Sequence, residues 1–171
     1  VIIGFSQGEY LQLLKKAGIN VIISKNIKRN FSLLNDLKAI IFLIKIVNKI
    51  KPNIVSSHSF KAGLILKIST FFLKNVPTIF TAHGWSFNNG VPFFRRFISL
   101  QIEKYLCGRV SRVITVCNSD YKLALDKKIV NEKKLVNIYN GMPLKEYKLK
   151  NFNSHKIIKF ISVARFESQK D

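Results

Sequence analysis

The stretch that most restricts this chain is Thr78-Ile79-Phe80-Thr81-Ala82-His83-Gly84-Trp85-Ser86-Phe87, directly after Pro77. Apolar residues behind a proline read as a buried strand, and the His-Gly pair reads as the turn that ends it. Gly84 has no Cβ, so the backbone can turn tightly there or let a ligand come close. His83 therefore belongs at the carboxyl end of a strand, the edge at which open α/β sheets bind ligands.

The rest of the chain alternates in a way that suits such a sheet. Strands are expected over residues 1–5, 19–24, 54–58, 112–117 and 135–139, and helices over 9–17, 33–51, 61–73, 93–107 and 121–127. Gly18 and Pro52 supply helix stops, and Asn118-Ser119-Asp120 supplies a cap for the helix from Tyr121. Alternating strands and helices imply a mostly parallel sheet with helices on both faces. Gly63 permits close helix packing. Phe93, Phe94 and Phe97 read as core rather than as a substrate platform. Glu103, the lone acid of the 93–107 helix, reads as half of a structural ion pair. Residues 142–156 are polar and basic without apolar rhythm, which is the pattern of a linker, and a further strand is expected at 157–163. His155, inside that linker, reads as solvated.

Lys and Arg number 29 against 9 Asp and Glu, a formal net charge of +20. That favours an anionic partner, whether nucleic acid, a membrane surface or a phosphorylated ligand. Charge alone does not choose among them. Cys107 and Cys117 form no Cys-x-x-Cys pattern, which argues against structural zinc and for free thiols in a reducing cytosol. The most apolar run, Ala39 to Ile44, is far shorter than the roughly 20 residues a membrane span needs.

Four stretches in order resemble glycosyltransferase family 4. They are Ile54-Val55-Ser56-Ser57-His58-Ser59-Phe60-Lys61-Ala62-Gly63, Pro77 through Phe87, Ile138-Tyr139-Asn140-Gly141-Met142-Pro143, and Ile161 through Asp171. The resemblance implies a GT-B fold of two Rossmann-like domains. On that reading residues 1–141 are the N-terminal, acceptor-side domain without its first strand. Residues 142–156 are the linker, with Asn140-Gly141 at the crossover, and 157–171 begin the donor-binding domain. The family's glycine-rich opening and its two-glutamate donor motif have no counterpart here, and Ser111 stands where the family often has Asp. The chain is thus expected to be a fragment, inactive alone.

The resemblance also implies roles. His83 matches the histidine that contacts the donor sugar near the transferred carbon, with Gly84 beside it. Arg165 and Lys170 match the pair that binds the donor diphosphate; an arginine offers a forked donor and a lysine a point charge. His58 and Lys61 would face the acceptor, Lys61 toward a phosphate such as that of a polyprenyl carrier. The donor is a nucleotide-diphosphate sugar and the acceptor lipid-linked or saccharide, as in bacterial surface polysaccharide synthesis with retention. Neither a cofactor nor a metal is expected, since no Asp-x-Asp occurs and cations can neutralise the diphosphate. Arg95, Arg96, Lys122, Lys127, Lys128, Lys133 and Lys134 leave open an anionic membrane surface as a partner. The location expected is cytoplasmic, with attachment to the inner face of the plasma membrane left open. Two other readings stand beside this one: a basic nucleic-acid-binding protein, against which the absence of a recognition module speaks, and a free-standing Rossmann-type nucleotide-binding module.

Overall fold

The computed structural model describes residues 1–4, 9–27, 32–87 and 92–142. The expected strand at 157–163, Arg165, Lys170, His155 and the linker from residue 143 onward lie outside the described residues. Within them the order is β1 (Ile2–Gly4), α1 (Glu9–Lys16), β2 (Val21–Ile23), α2 (Leu33–Ile50), β3 (Val55–His58), α3 (Phe60–Ser69), β4 (Thr78–Ala82), α4 (Phe93–Cys107), β5 (Arg112–Thr115), α5 (Asn118–Asp126) and β6 (Leu135–Asn137). A short 3-10 turn, Glu132–Lys134, precedes β6.

Every strand pair is parallel. The strands fall into two sheets, β1-β2 and β3-β4-β5-β6. Between the sheets lies an apolar cleft of about 600 Å³, lined by Val1 and Ile3 on one side and by β3, α2 and α3 on the other. In the larger sheet the spatial order follows the chain order. Right-handed crossovers that always step the same way leave their helices on one side. Accordingly Phe80 and Val113, paired in register, share a buried cluster with Cys107 of α4 and Ala124 of α5. The other side of this sheet stays more open: Ser56, His58, Arg112 and Val136 are exposed, and Ile79 and Ile114 half-buried.

Local chemistry sets the ends of the helices. Ser32 caps α2 from an extended conformation, and its hydroxyl accepts from Asn35 Nδ2 at 2.8 Å. The helix stops at left-handed Lys51 before Pro52. Helix α3 ends at Ser69, short of the expected Leu73. The Ser69 hydroxyl donates back to the Ile65 carbonyl and that of Thr70 to Lys67, which diverts the chain into a turn. Helix α5 starts at Asn118 with Cys117 as its N-cap, three residues before the expected start. Asp120 is therefore inside the first turn, where its carboxylate accepts from Cys117 Sγ at 3.2 Å.

The α3–β4–α4 contact is unusually close. A Cβ on Gly63 would lie 2.3 Å from Cε2 of Phe80, so only glycine lets α3 sit so near the strand. One helical turn on, Lys67 is 0% exposed; its ammonium lies 4.2 Å above the Phe80 ring and 2.5 Å from Glu103 Oε2. Glu103, 1% exposed, also accepts from Cys107 Sγ at 3.1 Å. The ion pair expected of Glu103 is present, with Lys67 as partner. Burial pushes the Cys107 thiol far above its ordinary range, against the opposing pull of Lys67.

The pair also decides how α4 is turned, and here the sequence reading of Phe93, Phe94 and Phe97 as core is overturned. Glu103, Leu106 and Cys107 face inward. At 3.6 residues per turn Phe94 and Phe97 then fall on the outer side and Phe93 on the flank of the first turn, and all three are exposed. A helix apolar around most of its circumference does not announce which face is inside.

Candidate functional site

Strands β3 and β4 are parallel neighbours with His58 opposite Thr81, so both end at one edge. His58 is the last residue of β3, and His83 follows β4 directly. Their rings meet: His58 Nδ1 is 3.2 Å from His83 Nε2, with ring centroids 5.5 Å apart. One of these two nitrogens must be unprotonated for the other to donate, so the tautomers of the two rings are linked. Sequence reasoning assigned the two histidines to opposite substrates; the structure joins them in one exposed pair.

Each imidazole is held by its neighbours. After His83, Gly84 adopts φ 119°, a conformation that strains any residue with a side chain, although space around it is open. The next ring points inward: Trp85 Nε1 donates to the Asp120 carbonyl at 2.9 Å, and the indole stacks on Phe87 and meets Phe80 edge-on. Trp85 and Phe87 are buried, so they anchor the loop that presents His83. After His58, Ser59 has φ 73° and ψ 156°, outside the regions a non-glycine residue favours. That strained residue turns the chain from β3 into α3.

Lys61, in the first turn of α3, is already engaged. Its ammonium lies 2.5 Å from Asp36 Oδ2, and both side chains are largely buried between α2 and α3. An acceptor phosphate meeting Lys61 would therefore join or displace Asp36. Among the basic residues, Lys134 is committed to the Gly108 and Val110 carbonyls, at 2.7 and 3.2 Å, whereas Arg95, Arg96, Lys122, Lys127, Lys128 and Lys133 are exposed. The described residues contain no group of three His, Cys, Asp or Glu able to hold a metal ion. They also contain no helix long and apolar enough to cross a membrane.

The sequence reading missed the roles of Trp85, Asp36 and Lys67, and the pairing of the histidines. Each depends on a contact between residues 25 to 36 positions apart. The only local hint was the tryptophan directly behind His-Gly.

The family model for glycosyltransferase family 4 matches residues 4–146, most of the chain and the whole of this site. The chain belongs to glycosyltransferase family 4. It is 30% identical over 120 residues to a UDP-Gal:alpha-D-GlcNAc-diphosphoundecaprenol alpha-1,3-galactosyltransferase of Escherichia coli, covering 70% of this chain and 31% of that protein. It is 28% identical over 128 residues to the capsular polysaccharide biosynthesis glycosyltransferase CapM of Staphylococcus aureus, covering 72% of this chain and 33% of that one. A glycosyltransferase structure from Rickettsia africae superimposes with a TM-score of 0.62 at 20% identity, over 81% of this chain and 34% of that chain, which shows a shared fold. The family 4 chain described here thus spans about a third of the length of these relatives.

Proposed function

We propose that this chain forms the acceptor-side half of a sugar-transfer site. In the gene product that contains it, a hexose-type sugar would pass from a nucleotide-diphosphate donor to a lipid-linked or saccharide acceptor of a bacterial surface polysaccharide. The observation that carries the proposal is the His58–His83 pair at the carboxyl edge of β3 and β4, in a chain of family 4. An imidazole fixed at such an edge can donate to a sugar hydroxyl and orient the ring for attack. His83 takes that role. Gly84 lets the donor come close to the backbone. His58 fixes which nitrogen of His83 is free, and Lys61, tethered by Asp36, offers a cation to the acceptor.

The bond from the anomeric carbon to the diphosphate breaks, and the acceptor hydroxyl oxygen takes its place with retention, its proton passing to the departing nucleotide diphosphate. The diphosphate leaves with charge that cations must stabilise, and Arg165 and Lys170 are assigned to it. The E. coli relative's name, which specifies a diphosphoundecaprenol acceptor, supports a lipid-carried acceptor here. The site would work from the cytoplasm at the inner face of the membrane.

The test is transfer of labelled galactose from UDP-galactose to GlcNAc-diphosphoundecaprenol by the complete gene product. Label should enter the lipid fraction, and His83→Ala should reduce it by about 100-fold or more, the cost of a misplaced reacting group. Folded protein that moves no sugar from any of a panel of UDP- and GDP-sugars to lipid or saccharide would overturn the proposal.

A further inference from the structure

Among the described residues three buried side-chain oxygens have no hydrogen-bond partner: Ser24 Oγ, Asp36 Oδ1 and Ser86 Oγ. Buried polar atoms are nearly always paired, so each orphan asks for a reason. Their placement is alike. Ser24 follows β2 directly, Asp36 lies in the first turn of the helix that β2 leads into, and Ser86 lies in the loop behind β4. All three thus stand behind the carboxyl end of a strand, as His58 and His83 do.

Asp36 is the most informative of them. Both donors that reach it use one oxygen: Lys61 Nζ at 2.5 Å and the Ser32 amide at 3.3 Å both meet Oδ2. Oδ1 is left with nothing to accept from. The contact with Lys61 holds the first turn of α2 against the first turn of α3, just behind His58. The two side chains keep 12% and 17% exposure, so a ligand can reach the pair, although Oδ1 itself is closed to solvent and the pair must give slightly to admit a hydroxyl.

The chemistry of the pair narrows what that ligand is. A carboxylate beside an ammonium is neutral as a unit, and the carboxylate repels a phosphate that the lysine alone would attract. The spare oxygen takes a hydrogen and nothing else. A sugar suits both halves, because one hydroxyl can donate to Oδ1 while its neighbour accepts from the ammonium. We propose that the Lys61–Asp36 pair recognises two adjacent hydroxyls on the sugar of the acceptor rather than its phosphate. The inference rests on the transferase reading and names the part of the acceptor that meets this side of the histidine rim. It makes Asp36 a specificity determinant of that reaction.

The experiment is calorimetric titration of the complete gene product with phosphate-free probes, the octyl glycosides of N-acetylglucosamine, glucose, galactose and mannose, and with inorganic pyrophosphate. At least one glycoside should bind the parent. Asp36→Ala and Lys61→Met should each weaken that binding about tenfold or more, the range for a hydrogen bond to a charged group. Pyrophosphate affinity should change less than about threefold in either variant, as for an independent site. Deoxy analogues of the bound glycoside carry the test on the parent alone, where a variant fails to fold. Loss of one of two adjacent ring hydroxyls should weaken binding about tenfold, and in folded Asp36→Ala that difference should vanish. If Lys61 instead served a phosphate, Asp36→Ala would release the ammonium, tighten pyrophosphate and leave the glycosides unchanged; that result overturns the proposal. So would an Asp36→Ala variant that loses only stability to urea, which would assign Oδ1 to a buried water, and so would a folded parent that binds none of the glycosides. The transferase reading is judged by sugar transfer, so the two failures are told apart.

Discussion

Two polar clusters in this molecule look alike on paper and differ in kind. Lys67, Glu103 and Cys107 join α3 to α4 with nothing left for solvent. His58 and His83 join β3 to β4 at a rim where both rings are exposed. In the first, each group is consumed by its neighbours, so the cluster can only hold structure. In the second, the rings contact each other yet still face outward, so a ligand can compete for them. Burial of a charged pair costs desolvation and leaves no room for one partner to be lost. An exposed pair carries little stability and is free to do chemistry. The contrast separates framework from site without reference to any relative.

The sharpest way to break this contrast is to remove one charge from the sealed cluster. Lys67→Met should lower the unfolding free energy by about 3–5 kcal/mol, because it strands Glu103. Adding Glu103→Leu should recover much of that, as measured by urea titration. A single variant as stable as the parent would mean the cluster is not sealed. Gly63→Ala probes the same contact sterically. Its methyl overlaps the Phe80 ring and should cost about 1–3 kcal/mol. Trp85→Phe leaves the Asp120 carbonyl without its donor, for a loss of about 1–3 kcal/mol. Amide exchange should rise around Gly84 in that variant while the amides of α2 keep their protection.

Smaller effects sharpen the boundary. The folded state holds the Cys107 proton above the ordinary thiol value of 9.0, whereas the unfolded chain releases it. The thiol's stabilising effect is full below about pH 9 and declines as pH rises, by at most about 1.4 kcal/mol per unit. The parent should lose stability across that range more steeply than Cys107→Ala. In native protein a thiol reagent should label Cys117, which is half-buried, and leave Cys107 untouched until unfolding. At the rim, His58→Gln should change stability by no more than about 0.5 kcal/mol, the usual range for an exposed site. Yet it should move the ring nitrogen resonances of His83. An unchanged His83 spectrum would mean the two rings do not share a hydrogen.

Much of the framework was legible in the sequence because its punctuation is local. Gly18, Pro52 and Pro77 mark where elements stop and start, and the apolar runs between them are long enough to identify. The end of β4 was legible for the same reason, and with it the position of His83. What could not be read were the choices settled across space. Nothing near residue 103 says that its partner is Lys67, and without that partner the apolar circumference of α4 offers two equally good inner faces. Likewise His58 and His83 each announce a strand end, but only the β3–β4 register brings the rings together. Lys61 was read as facing an acceptor phosphate, and nothing local to it points to Asp36, 25 positions away, as its partner.

The link from Trp85 to α5 has a consequence for how this loop tolerates change. The acceptor is the main-chain carbonyl of residue 120, 35 positions further along. Any residue there supplies the same oxygen, so substitutions at 120 leave the strut standing. Position 85 has no such latitude, because no other side chain carries a donor at the rim of so broad a plane. The histidine's perch is thus insured on one side and exposed to a single point of failure on the other.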